Sequence, residues 1–218
     1  RSDFVTMSPG SGPVESWDHK KAEMDACFGA FDQLWRDREG KDGGLDLVSM
    51  LAQGEGTASM PRHVFYGNVI LLIVGGNDTT RNTLSGSVYA LNKNGDQYDM
   101  LRSDPSLVPG MVSETIRWQT PLAHMARTAK EDVEMHGKVI REGDRVAMWY
   151  LSGNRDERHF ETPNAYDITR KNVRSHLSFG FGIHRCFGNR VAELPLQIPC
   201  EESIERFPLG DDSEEKTR

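Results

Sequence analysis

Cysteine is scarce in this chain. There are three, at positions 27, 186 and 200, an odd number with no paired spacing. That argues against a disulfide framework and for a reducing compartment. Long hydrophobic runs are lacking too. The longest, Val69 to Val74, has six residues, against the ~20 that cross a bilayer. With no signal peptide legible, the expectation is a soluble, cytoplasmic protein without a membrane span. Basic residues are outnumbered, with 26 Lys and Arg against 33 Asp and Glu and a net charge of −7. That argues against nucleic acid as a partner. What is present supports a buried core: 37% of the 218 residues are hydrophobic, enough for one large domain or two small ones. The first residue is Arg1 rather than Met, which reads as a fragment.

Periodicity predicts a mainly α chain with a small β-sheet. Residues 1–16, rich in Gly, Pro and Ser, read as an irregular end. Met24, Cys27, Phe28, Phe31, Leu34 and Trp35 recur at helical spacing between Trp17 and Arg38. A short helix is expected over Leu45–Ala52. A long one should run from Pro61 to about Asn92, roughly 48 Å at 1.5 Å per residue, stopped by Gly95. Further helices are expected over 96–103 and 106–118, the second closed by Pro121. His124 to Ala129 reads as extended, "MHGK" as a turn between two β runs, and Arg145 to Tyr150 as another strand. Residues 152–177 look irregular. A helix then runs to Leu194, where Pro195 and Pro199 should interrupt it at about 3 kcal/mol each. Residues 195–218 are expected to be irregular, and "DDSEEKTR" to be a solvated tail.

Three stretches carry possible chemistry. In "SFGFGIHRCFGNR" (178–190), Gly180 and Gly182 let the backbone bend and approach a flat ligand. Cys186 then falls in what reads as the first turn of a helix, where outward N–H groups favour a thiolate. Such a thiolate can be a nucleophile, a zinc ligand, an axial ligand to haem iron, or simply a buried structural cysteine. Zinc needs about four ligands, and only His184 lies close. The second stretch is "GGNDTTRN" (75–82), inside the long helix. Gly75, Gly76 and Thr79 share one face without bulk, which suits either a flat cofactor or tight helix packing. The third is "ETIR", in which Glu114 and Arg117 are three apart and can meet. On a surface such a pair contributes about 0.2–0.5 kcal/mol.

Phe179-Gly180-x-Gly182-x-His184-x-Cys186-x-Gly188, with Ala192, resembles the haem-binding loop of the cytochromes P-450, and the other two stretches match further family marks in the right order. The resemblance implies the C-terminal part of the P-450 fold, with a long central helix and a Cys haem-binding loop. Members are about twice as long, so the chain reads as a partial single domain, 1–218, without the family's N-terminal half or final strands. By resemblance Cys186 is the axial ligand of haem iron, with Phe179, Gly180, Gly75 and Gly76 against the cofactor. Asp78 and Thr79 match the acid and alcohol that deliver protons during oxygen activation. Glu114 and Arg117 match a buried structural ion pair, with Arg170 as a third member. Arg127 and His184 match contacts to the haem propionates.

The likeness is greatest to bacterial alkane-hydroxylating members, in "GGNDTTRN", "IRWQTPLAHM", "GDRVAMWYLSGNRDE" and "FGFGIHRCFGNRVAEL". It implies haem b, O2 as cosubstrate, and electrons from NAD(P)H through a ferredoxin and its reductase. The expected protein is a bacterial monomer that hydroxylates the terminal carbon of a medium-chain alkane or fatty acid. Leu72, Val74, Leu122, Ala123 and Met125 are candidates for an apolar substrate channel. Arg185 and Arg190 are candidates to face an acidic ferredoxin. Two other readings remain: an inactive fragment that keeps the motifs but lacks the pocket, and a thiol or zinc enzyme.

Overall fold

The structure, a computed structural model, describes residues 8–10, 12–41 and 43–206. The rest of the N-terminal stretch and the tail after Arg206, "DDSEEKTR" included, lie outside the described residues. The chain divides into two compact units, Arg1–Asp78 and Thr79–Arg218.

The first unit holds α1 (Trp17–Arg36), α2 (Leu47–Gln53) and the opening turns of α3 (Arg62–Lys93). Ser16 caps α1 by accepting the His19 N–H, and Asp46 caps α2 by accepting the Ser49 N–H. The Ser49 hydrogen bonds, with Arg38 beside them, hold the Asp46 carboxyl down at about 2. The core is Trp35, Val48, Ala52, Phe65 and Val69, with Trp35 edge-on to Phe65 at 4.7 Å. Of the stripe that the spacing of α1 anticipates, Trp35 is buried here and Phe31 and Leu34 pack against the cluster.

The second unit holds the rest of α3, α4 (Gly95–Ser103), a 3-10 turn (Pro105–Leu107), α5 (Val108–Gln119), four short strands, α6 (Tyr150–Gly153) and α7 (Asn189–Arg206). Gly95 opens α4 rather than closing α3, which ends at Lys93. Helix α5 is buried almost all round, and Val108, Met111, Val112 and Ile116 form the centre of the core with Leu101, Ile168 and Leu196. Its first turn must pass close to neighbouring backbone: a Cβ on Gly110 would lie 2.6 Å from Ile168 O.

The β component is two separate two-stranded antiparallel sheets. β1 (His124–Thr128) pairs with β4 (Arg145–Trp149), with Ala126 opposite Ala147. β2 (Val133–Met135) pairs with β3 (Lys138–Ile140). The turn between β2 and β3 places His136 and Gly137 at φ 52° and 73°, the left-handed pair that matches strand twist in a two-residue hairpin.

The C-terminal helix corrects an expectation. It does not stop near Leu194 but runs to Arg206 with Pro195 and Pro199 inside it. Burial offsets the lost backbone hydrogen bonds. Leu196 is buried in the core, and Cys200 and Ile204 pack against it, so tertiary contact outweighs local propensity. No helix among the described residues is long and apolar enough to cross a membrane.

Candidate functional site

Glu114, Arg117 and Arg170 do come together, and the surroundings are dry. Glu114 and Arg117 have 0% side-chain exposure. Arg117 Nε and Nη2 donate to the two Glu114 carboxylate oxygens, each at 2.7 Å. Arg117 Nη1 donates to Asn154 O at 2.7 Å and Pro163 O at 2.8 Å, and Nη2 also reaches Ala165 O. Arg170 Nε donates to Glu114 Oε2 at 3.2 Å, and its Nη atoms take the carbonyls of Glu161, Thr162 and Ala165. Two guanidinium groups thus share one carboxylate, and backbone carbonyls accept most of their remaining donors. The cluster fastens residues 161–167 to α5 and holds Thr162 at φ 43°, where a β-branched residue rarely sits. A partner removed from such a site costs about 3–5 kcal/mol, far above the surface value.

The cysteine loop begins beside this cluster. Gly180 sits at φ 70° and Gly182 at φ 72°, which residues with a Cβ avoid. A 3-10 turn spans Gly182–His184. Cys186 N–H donates to Phe179 O at 2.7 Å, closing the loop on itself. Helix α7 begins only at Asn189. Cys186 therefore precedes the helix by three residues, with the Phe187–Gly188 turn between, and does not occupy its first turn as the sequence suggested. The backbone hydrogen bond to Phe179 fixes its place instead. The thiol is free and exposed. Phe181, Ile183 and Phe187 are 81%, 97% and 100% exposed, so exposed apolar side chains flank Cys186 along the loop. His184 is exposed as well. His176, just upstream, is pushed down to about 4 by burial first and then by Arg185 and Arg117.

The donor set fits a haem-thiolate site. Among the described residues no group of three His, Cys, Asp or Glu side chains could hold a metal ion. An axial ligand to haem iron needs one protein sulfur, which Cys186 supplies.

Along α3, Gly75 and Gly76 are exposed, and an ideal Cβ on either meets nothing within 4 Å. Of the two readings of these glycines, tight helix packing gains no support at their Cβ positions. Asp78 and Thr79 follow, both half-buried, and Thr79 O accepts the Thr83 hydroxyl at 2.7 Å.

Arg127 lies half-buried on β1, its Nη1 donating to Ala126 O at 2.9 Å. Leu72, Leu122 and Met125 are exposed, and Val74 and Ala123 half-buried. None of these five lines a cavity of about 290 Å³ in the second unit, whose walls are Leu84, Val88, Leu91, Leu101 and Ile204 with Cys200. Burial pushes the Cys200 thiol up, away from the thiolate form, and its side chain packs against the core.

Reasoning from the sequence missed Asn154, Thr120 and Ser178. All three are buried polar residues between the ion-pair cluster and the cysteine loop. An Asn just after the apolar "VAMWYL" run was the available signal.

A family model described as Cytochrome P-450 matches residues 14–218. The chain belongs to the cytochrome P-450 family. Linalool 8-monooxygenase of Pseudomonas putida is 41% identical over 170 residues, which are 76% of this chain and 42% of that protein. Steroid C26-monooxygenase of Mycobacterium tuberculosis (strain ATCC 25618 / H37Rv) is 39% identical over 173 residues, 77% of this chain and 43% of that protein. Among solved structures, cytochrome P-450-153 from Novosphingobium aromaticivorans is 49% identical with a TM-score of 0.82, covering 87% of this chain and 47% of its own. The chain thus spans under half the length of each of these P-450 relatives. The mainly helical fold with small antiparallel sheets matches that part of the P-450 fold.

Proposed function

We propose that this chain is the C-terminal half of a single-domain, haem-thiolate monooxygenase that inserts one oxygen atom of O2 into an unactivated C–H bond of an apolar substrate. The observation that carries the reading is the free, exposed Cys186 thiol on a glycine-bent loop with exposed apolar side chains, in a chain of the P-450 family. Haem b, when bound, supplies the oxygen-activating chemistry, and the protein supplies position, protons and exclusion of water. Cys186 would hold the iron as a thiolate. Phe179, Gly180, Gly75 and Gly76 give the flat group room. Arg127 and His184 hold its carboxylates by charge-assisted hydrogen bonds. Asp78 takes a proton from the solvent side and passes it to Thr79 Oγ1, which hands it on within the pocket.

The finer reading is terminal hydroxylation of a medium-chain alkane or fatty acid. The segments that resemble alkane-hydroxylating members support it, as does the 49% identity to cytochrome P-450-153. The relatives named for linalool and a steroid also act on largely apolar molecules. Leu72, Val74, Leu122, Ala123 and Met125 supply the apolar contacts. Electrons arrive from NAD(P)H through a ferredoxin and its reductase, with Arg185 and Arg190 toward the acidic partner, and the enzyme acts as a cytoplasmic monomer.

The near-complete exposure of Phe181, Ile183 and Phe187 favours a second reading, in which this length of chain keeps the motifs but encloses no pocket and does not turn over. The deciding experiment is the absorption spectrum of the reduced chain with and without carbon monoxide. A long-wavelength Soret band, lost in Cys186→Ala, is the expected result. Haem bound through some other ligand, with the Cys186→Ala spectrum unchanged, overturns the first reading.

A further inference from the structure

We infer that Asn154 is a positioning residue, which transmits the rigidity of the buried Glu114–Arg117–Arg170 cluster to the loop that carries Cys186. The inference rests on the haem-loop reading of Cys186 for its meaning, but its geometry lies entirely within the second unit. Asn154 follows α6 and is fully buried. Its N–H donates to Tyr150 O at 2.8 Å. Its carbonyl accepts Arg117 Nη1 at 2.7 Å. Its Oδ1 accepts the Leu177 N–H at 2.6 Å. Its Nδ2 donates to Thr120 Oγ1 at 2.9 Å and to Ser178 Oγ at 2.8 Å. Both protons of the amide, its oxygen and both backbone groups are engaged.

The direction of every bond in this group is forced. Leu177 N–H can only donate, so the Asn154 oxygen must face it and the NH2 must face the two hydroxyls. Ser178 Oγ lies 2.8 Å from Ile116 O and Thr120 Oγ1 lies 2.7 Å from Arg117 O. Each carbonyl only accepts, so each hydroxyl spends its one proton on the end of α5 and turns a lone pair to Asn154. A carboxylate in place of the amide would meet those lone pairs, and the hydroxyls would have to abandon the α5 carbonyls.

From Leu177 the connection continues along backbone. Leu177 O accepts Gly180 N–H at 2.7 Å, and Phe179 O accepts Cys186 N–H at 2.7 Å. Tyr150, which accepts the Asn154 N–H, also bounds the loop: a Cβ on Gly180 would lie 3.2 Å from its Oη. One guanidinium, one amide and two backbone hydrogen bonds therefore link the ion-pair cluster to the residue bearing the thiol.

The test compares the full chain with Asn154→Ala, Asn154→Asp and Ser178→Ala, using exposed Asn172→Ala as control. Hydrogen–deuterium exchange is read first, on the haem-free chain. Asn154→Ala is expected to speed exchange of residues 177–186 by about 10- to 100-fold, with a much smaller change over residues 108–119. Asn154→Asp should fail to restore protection. Ser178→Ala, which keeps the Leu177 bond, should give a smaller change confined to residues 177–186, and it carries the test if Asn154→Ala does not fold. Carbon monoxide spectra of the haem-loaded proteins are read second, and the thiolate-type fraction should fall in both Asn154 variants but not in Asn172→Ala. Equal acceleration over 108–119 and 177–186, or protection kept in Asn154→Asp, overturns the inference and leaves the haem reading standing. A wild-type chain that never shows the thiolate band supports the second reading, in which this length of chain encloses no pocket, while the exchange data still decide the role of Asn154.

Discussion

Thr79 follows Asp78 on α3, one turn beyond a pair of glycines with open space over them. If the two residues form the proton route, the hydroxyl is dispensable for binding but not for coupling. Thr79→Ala is expected to keep the haem spectrum while product formed per NAD(P)H falls roughly tenfold or more. Simultaneous assay of O2 uptake and product reads this directly, and unchanged coupling would remove Thr79 from the route. His176 gives a pH prediction at the same scale. Burial, with Arg185 and Arg117 nearby, holds it neutral down to about 4, whereas the unfolded side chain takes a proton near 6.5. Between those values the unfolded state binds more protons, so stability falls as the pH falls, by up to about 1.4 kcal/mol per pH unit. Urea unfolding at pH 7 and pH 5 should show that loss in the wild type and a reduced loss in His176→Phe.

At the scale of elements, α7 makes the sharpest test. Pro195 is exposed within a helix, so its replacement sacrifices no packing. Pro195→Ala should stabilise the chain by about 2 kcal/mol, the interior-proline cost less the unfolded-state stiffness that proline confers. A denaturation midpoint that does not rise would mean that the local backbone already accommodates the ring. Most elements are legible in the residue pattern alone. The helical stripes of α1 and α3, the helix after residue 106 and the "MHGK" hairpin all follow from spacing and turn residues. The second half of α7 is not legible, because two prolines speak locally and Leu196 and Ile204 answer through the core. The starting point of that helix is misplaced by the pattern for a related reason: the Cys186 N–H finds Phe179, seven residues back, rather than a helical partner. In the candidate site the ion pair is legible as a motif, but its dryness is not. Asn154 carries one local signal, its place after an apolar run, but its role is not legible because its partners Thr120 and Ser178 lie 34 and 24 residues away.

At the scale of the whole molecule, the Glu114–Arg117–Arg170 cluster decides how the second unit comes apart. Glu114→Gln removes the carboxylate that Arg117 and Arg170 share and leaves two cations in a dry site. The expected loss is about 3–5 kcal/mol, measured as a fall in the urea midpoint. It should be accompanied by protease sensitivity over residues 161–167, whose backbone the two guanidinium groups hold. A fall under ~1 kcal/mol, the range of solvated pairs, would mean that water reaches the cluster.

The β2–β3 hairpin lies within the 56 residues that separate Glu114 from Arg170, yet its strand residues are almost all exposed and pair only with each other. The clasp at either end of that span closes without it. The His136–Gly137 turn is therefore a natural grafting point. A peptide tag or reporter spliced there lengthens a loop whose closure cost grows only logarithmically, and it leaves the chain on both sides anchored.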